Sequence, residues 1–150
     1  MTPRLLGLDF GDRRIGVAVS DELGLTAQPV LTLVRKNAKL DLKSLGRLAR
    51  KYGCAGIVIG NPLHMSGDVS PQAKKTQAFA EKLRTSLRLP VHLWDERLTS
   101  AEAHRHLEAA GRPVSGRREV VDQVAAVLIL QSFLDAHRQA EGRPQSYNGE

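Results

Sequence analysis

Cysteine is almost missing from this chain. A single Cys54 occurs in 150 residues, so no internal disulfide can form, and its setting in GCAGIVIG reads as a small buried residue and not a nucleophile. No Cys/His group has zinc-ligand spacing. His104 and His106 lie two apart on a predicted helix and so point to different faces, towards solvent. Aromatic residues make up 4% of the chain, with Trp94 the one tryptophan, which excludes an evident base-stacking platform. Long apolar runs are lacking too. The longest good one is Val124–Leu130, and the N-terminus carries no signal-peptide pattern, so a cytoplasmic protein with no membrane partner is expected. No internal repeat, interdomain linker or heptad seam is visible.

What is present in excess is positive charge. Lys and Arg number 22 against 16 acids, a net charge of +6, and the sequence pI is near 9.9. Fifteen of the 22 are Arg, whose forked guanidinium pairs with phosphate in a way an ammonium cannot. A polyanionic partner is expected, with nucleic acid first. A surface merely kept soluble by its charges is the plainer alternative.

Length and a 41% hydrophobic content fit one globular domain, 1–138, followed by a disordered tail, 139–150. Leu5, Leu6, Leu8 and Phe10 mark a first strand and Ile15, Val17, Ala18 and Val19 a second, joined by a turn at Gly11-Asp12. Val30–Val34 extends this sheet. A helix over Leu40–Tyr52 ends at Gly53, the run Ile57–Ile59 reads as a buried parallel strand, and Ser70-Pro71 starts a helix that runs to Leu87. Leu89–Trp94 is the next strand. Thr99 and Glu102 form a capping box for a helix closing at Gly111. The last helix spans Glu119–Arg138, with Val120, Val124, Val127, Leu128 and Leu134 towards the core. The pattern predicts an α/β fold: a mixed sheet with an antiparallel opening hairpin, then parallel strands, flanked by helices.

Open α/β sheets gather their ligands at the carboxyl ends of parallel strands, and acids collect there. Asp9 lies near the end of the first strand among apolar neighbours, where an ionised carboxylate is costly unless paired or holding a metal. The simpler reading has Asp9 accepting hydrogen bonds from the turn amides of Gly11 and Asp12. Asp95 and Glu96 follow the strand ending at Trp94, and either can cap or pair with Arg97. Asp122 lies in the first turn of the last helix, where the helix dipole alone would favour it.

The segments LDFGDRRIGVAVSD, VIGNPLHMSGDVSPQA, LWDERLTSAEA and VDQVAAVLILQSFLD, in that order from Leu5 to Asp135, resemble the YqgF/RuvX family of ribonuclease H-like nucleases. The loop departs from the family's GLPLNMDG at Asn61, His64 and Ser66. The resemblance implies a ribonuclease H-like fold and catalytic, metal-binding carboxylates at Asp9, Glu96 and Asp122, with Asp95 the alternative ligand to Glu96. It also implies hydrolysis of phosphodiester bonds in structured nucleic acid. The reaction must activate a water and stabilise a leaving oxygen on opposite sides of phosphorus, which two divalent ions can do. Hard carboxylate oxygens suit Mg²⁺ or Mn²⁺.

Arg13 and Arg14 in the hairpin turn, Arg97 after the acids, and Arg112, Arg117 and Arg118 ahead of the last helix are the candidate phosphate contacts. His64 is a weaker candidate for touching substrate. The family resemblance implies either processing of the 5′ end of pre-16S ribosomal RNA, ranked first, or resolution of Holliday junctions in DNA. Two readings of another class remain: a nucleotide-phosphate site of the kind in actin-like and sugar-kinase domains, which occur in pairs, and a noncatalytic nucleic-acid-binding module. A monomer or weak homodimer is expected.

Overall fold

A computed structural model describes residues 3–99 and 117–141, without the side chains of 117–119 and 139–141. The chain runs β1 (Arg4–Phe10), β2 (Arg14–Ser20), β3 (Ala27–Val34), α1 (Ala38–Lys51), β4 (Cys54–Asn61), α2 (Pro71–Leu87), β5 (Val91–Asp95), a 3₁₀ turn (Glu96–Leu98) and α3 (Arg117–Glu141). The five strands form one sheet in the order β3-β2-β1-β4-β5. β1, β2 and β3 are antiparallel neighbours, while β4 and β5 join β1 in parallel. This is the expected mixed α/β sheet. The capping-box helix at 99–111, with His104 and His106, lies outside the described residues except for Thr99.

Alternation along the central strands divides the core into two layers. Leu6, Leu8, Phe10, Ile15, Val17, Val19, Ile57 and Ile59 meet Leu45 of α1 and Phe79, Ala80 and Leu83 of α2. On the opposite face, Ala18 and Val58 meet Ala125, Ala126, Ile129, Leu130 and Phe133 of α3. Asn37 caps α1 by accepting from the Leu40 amide at 2.9 Å, and Ser70 caps α2 by accepting from Ala73 at 2.9 Å. The Ser70 hydroxyl also donates to the Pro62 carbonyl at 2.7 Å, tying the β4 outlet to the start of α2.

Three expectations are adjusted. β3 begins at Ala27 and takes in Pro29, which is tolerated because β3 is an edge strand. α3 continues to Glu141, past the boundary set at Arg138. Its buried stripe is Ala125, Ala126, Ile129, Leu130, Phe133 and the expected Leu134, whereas Val120 is 56% exposed and Val124, Val127 and Leu128 are half-buried. Small residues face the sheet because α3 sits very close to it. A Cβ added at Gly7 would come within 2.7 Å of Leu130 Cβ, and one at Gly16 would overlap the backbone of Asp122. The stretch Val120–Arg138 is long and apolar enough to cross a membrane by composition. Here it is a core helix, packed on β1, β2, β3 and β4.

Candidate active site

The site begins with the hairpin turn after β1. The Gly11 amide donates to the Arg14 carbonyl at 2.9 Å, which closes the turn and takes from Asp9 one of the amides proposed for it. Arg35, at the outlet of β3, braces the same turn. Its amide donates to the Arg13 carbonyl at 2.9 Å, and Nη1 donates to the Gly11 carbonyl at 3.1 Å. Nε pairs with the buried Asp41 of α1 at 3.2 Å, and the guanidinium lies 4.5 Å from the centre of the Phe10 ring, which stacks on Phe79. Nothing in the local sequence around Arg35 announced this role, because its partners come from three separate elements.

Asp9 is 5% exposed and pairs in register with Gly16. Leu8 and Phe10 on either side belong to the α1/α2 layer, so alternation turns Asp9 towards α3, the face on which Gly16 meets Asp122. Glu96 comes to this face from the far side. Trp94 packs in the α3 layer and its indole donates to Ser132 Oγ at 3.0 Å. The chain then tightens into the 3₁₀ turn, which buries Glu96 to 2% exposure. A Cβ on Gly60 would meet Glu96 Oε2 at 2.7 Å and Ile129 Cδ1 at 2.6 Å, so the bare glycine is what makes room for this carboxylate.

Asp95 is engaged elsewhere. It caps the 3₁₀ turn by accepting from the Arg97 amide at 2.9 Å and holds the Arg97 guanidinium at 2.6 and 3.0 Å. The hydrogen bonds from Arg97 keep the Asp95 carboxyl below the ordinary carboxylate range despite some desolvation. Arg97 also donates to the Met65 carbonyl at 3.2 Å, latching the 61–70 loop to the outlet of β5. The geometry therefore separates two acids that strand alternation could not orient and that the family resemblance ranked with Glu96 first: Glu96 lies on the Asp9 face and Asp95 is a clamp for Arg97.

Asp122 reaches the site through α3, its backbone pressed on Gly16. Its carboxylate pairs with Arg14, Nε to Oδ2 at 2.6 Å, with Arg14 27% and Asp122 16% exposed. Among the described residues, no three His, Cys, Asp or Glu side chains are close enough to hold a metal ion together. The three acids thus share one face and one end of the sheet without forming a finished cluster.

The remaining candidates are placed as follows. Arg13 is exposed at the tip of the hairpin, and His64 is exposed in the 61–70 loop. Arg112 lies outside the described residues; Arg117 and Arg118 form the first turn of α3, and their side chains lie outside the description. Asn61, where the loop departs from the family pattern, has a buried Oδ1 with no hydrogen-bond partner. Cys54 is half-buried, and burial pushes its thiol up to about 11, unreactive at neutral pH.

The donor chemistry fits a hard divalent cation. Asp9 and Glu96 are carboxylates withdrawn from water at a place where apolar side chains would otherwise pack, and Gly60 keeps space open beside Glu96. Asp122 would complete an all-oxygen set from the same face if its carboxylate turned from Arg14.

Residues 3–136 match the family model described as "RuvX: Holliday junction resolvase". The chain is 50% identical over 133 residues, 89% of each chain, to a protein of Syntrophus aciditrophicus (strain SB) named "Putative pre-16S rRNA nuclease". It is 46% identical over 149 residues to a protein of the same name from Myxococcus xanthus (strain DK1622), covering 98% of this chain and 99% of that one. Among solved structures, it is similar to Thermus thermophilus RuvC in complex with a Holliday junction substrate. The TM-score is 0.57 with 11% identity, over 91% of this chain and 96% of that chain. That likeness carries the fold, a RuvC-like ribonuclease H arrangement.

Proposed function

This chain belongs to the RuvX family, and from that premise we propose that it is a metal-dependent endonuclease whose substrate is structured RNA, most specifically the 5′ end of pre-16S ribosomal RNA. Phosphodiester hydrolysis is the activity of the family. In the proposed reaction that hydrolysis depends on a divalent metal, Mg²⁺ or Mn²⁺ as a pair of ions. The observation that carries it is the burial of Asp9 and Glu96, 5% and 2% exposed, at the carboxyl ends of β1 and β5 on the face where α3 delivers Asp122.

Asp9, Glu96 and Asp122 are the residues that would hold the metal. When bound, the ions lower the pKa of a water and offset the charge growing on the leaving oxygen. The protein's own contribution is to fix the carboxylates in a low-dielectric wall between sheet and α3, and to present guanidinium groups to the phosphates on either side. Arg13, exposed at the tip of the β1–β2 hairpin, and Arg97, part-exposed at the β5 outlet, are the described candidates for that contact; Arg112, Arg117 and Arg118 extend the same proposal. With few aromatics the protein would read backbone and shape and not base identity. A protein that meets ribosomal RNA precursors belongs in the cytoplasm.

Resolution of Holliday junctions is the second reading, favoured by the family description and by the fold shared with RuvC. One experiment separates the two. Purified protein is incubated with labelled pre-16S RNA, four-way junction DNA and plain duplex, each with Mg²⁺, Mn²⁺ or chelator. Metal-dependent cuts at the RNA 5′ end are expected; paired nicks in junction DNA with intact RNA would reverse the order. Binding without cleavage under every condition would leave a noncatalytic binding module.

A further inference from the structure

We propose that Arg14 is the resident counter-cation of the acidic site. In the free protein it holds Asp122; when a phosphate of the nucleic acid takes the guanidinium, Asp122 is released towards Asp9 and Glu96, so nucleic acid and divalent metal bind with positive coupling. The inference rests on the nuclease reading and adds to it an order of events that the family assignment does not supply.

Four observations lead here. Asp122 Oδ2 accepts from Arg14 Nε at 2.6 Å, so the acid that should complete the metal set is already neutralised. Its backbone cannot move closer to the sheet, because it is seated on Gly16 with no room for even a Cβ between them; rotation of its side chain is what would redirect the carboxylate. In β2 Ile15 faces the α1/α2 layer, so alternation puts Arg14 and Gly16 on the α3 face, the one that carries Asp9. Finally, the Arg14 side chain is 27% exposed and spends one of its five donors on Asp122, its guanidinium making no other hydrogen bond among the described residues. A fork of unspent donors beside a wall of carboxylates is suited to a phosphate, which can take two parallel N–H bonds from it.

The energetics favour exchange over simple addition. A cation at the acids and the Arg14 charge repel one another across a poorly solvated gap, and either relieves the negative charge of Asp122. Moving the guanidinium onto a phosphate removes that competition and supplies the phosphate with its own counter-charge. By linkage, whatever factor nucleic acid contributes to metal affinity, metal must contribute to nucleic-acid affinity.

The test measures binding, not turnover. Mn²⁺ is titrated into the full chain by electron paramagnetic resonance, alone and with a phosphorothioate RNA hairpin, for the native protein and for R14Q and R14K. In the native protein the hairpin should tighten Mn²⁺ at least about fivefold, and Mn²⁺ should tighten the hairpin by the same factor. R14Q should bind Mn²⁺ alone at least about fivefold more tightly than the native protein, with the response to hairpin mostly gone. R14K, which keeps the charge, should retain weak Mn²⁺ binding in the absence of hairpin. Absence of coupling in the native protein overturns the inference whether or not the variants fold. An R14Q protein with native unfolding temperature and unchanged or weaker Mn²⁺ affinity also overturns it, leaving Arg14 a brace for α3 while the nuclease reading survives. If the native protein binds no Mn²⁺ with or without hairpin, the metal site itself fails and both readings go.

Discussion

Replacing Asp9 by Asn tests the chemistry with little disturbance of shape. The amide fills the volume of the carboxylate, and loss of one negative charge from a face shared with Glu96 and Asp122 removes repulsion, so the unfolding temperature should hold or rise. Cleavage should fall roughly a thousandfold, the equivalent of about 4 kcal/mol of transition-state stabilisation at 1.4 kcal/mol per decade. Single-turnover assays in Mn²⁺ check this; near-native cleavage by a homogeneous Asp9→Asn preparation would remove Asp9 from the site. Sequence already singled out Asp9, since an acid between Leu8 and Phe10 in a buried strand needs a reason. Periodicity could not separate Asp95 from Glu96, which only the family resemblance ranked first. Their difference arises from the 3₁₀ turn, which points one acid inward and leaves the other to Arg97, and no periodicity encodes that. Nor could it foresee Arg14 on Asp122, an ion pair between residues 108 positions apart.

At the scale of elements the strands and caps were legible because hydrophobic alternation and turn chemistry are local. The depth at which α3 seats was not. It is set by Gly7 on β1, Gly16 on β2 and Gly60 on β4, three positions that share the α3 face only after the sheet has paired, Gly16 opposite Asp9 and Gly7 opposite Ala18 and Val58, and together they draw Ala125 and Ala126 inward where the larger valines looked like the core face. Gly16→Ala should therefore be costly for its size. The added methyl would overlap main chain that cannot rotate away, so destabilisation of about 1–3 kcal/mol is expected, and with it displacement of Asp122. Gly56→Ala is the control: its Cβ would meet the tip of Leu5 at 3.1 Å, a flexible side chain that can yield. Urea unfolding of both variants measures the contrast; equal midpoints would mean that α3 is not held at the distance described.

Seen whole, the molecule has two unlike ends. Opposite the acids, at the amino ends of β1 and β5, Leu5, Leu25, His92, Phe133 and His137 line a cavity of about 470 Å³. Burial, then the charges of His137 and Arg84, hold His92 below the ordinary imidazole value of 6.5. The unfolded chain therefore binds the proton first as pH falls, and stability present above 6.5 declines as pH drops through the folded-state value. Urea midpoints at about pH 7.5 and 5.5, on either side of the ordinary imidazole value, should show lower stability at the lower pH, a difference that His92→Gln abolishes; an unchanged slope in the variant would assign the loss to another group. The same division of ends bears on assembly. Coordinated resolution of a junction needs two active sites, most simply a two-fold dimer, whereas trimming an RNA end needs one. The sheet's outer strand β3 is a poor dimer edge, because Pro29 lacks a donor and a bulge breaks its pairing with β2 between Val17 and Ala18. A contact made instead through the exposed Leu23 and Leu25 would join the ends away from the acids, adding no residue to either site. The protein should accordingly scatter light as a 16.4 kDa monomer or a weakly associating one at micromolar concentration, and cut RNA with a rate proportional to protein. A tight dimer making paired symmetric nicks in junction DNA, with RNA untouched, would instead make junction resolution its reaction.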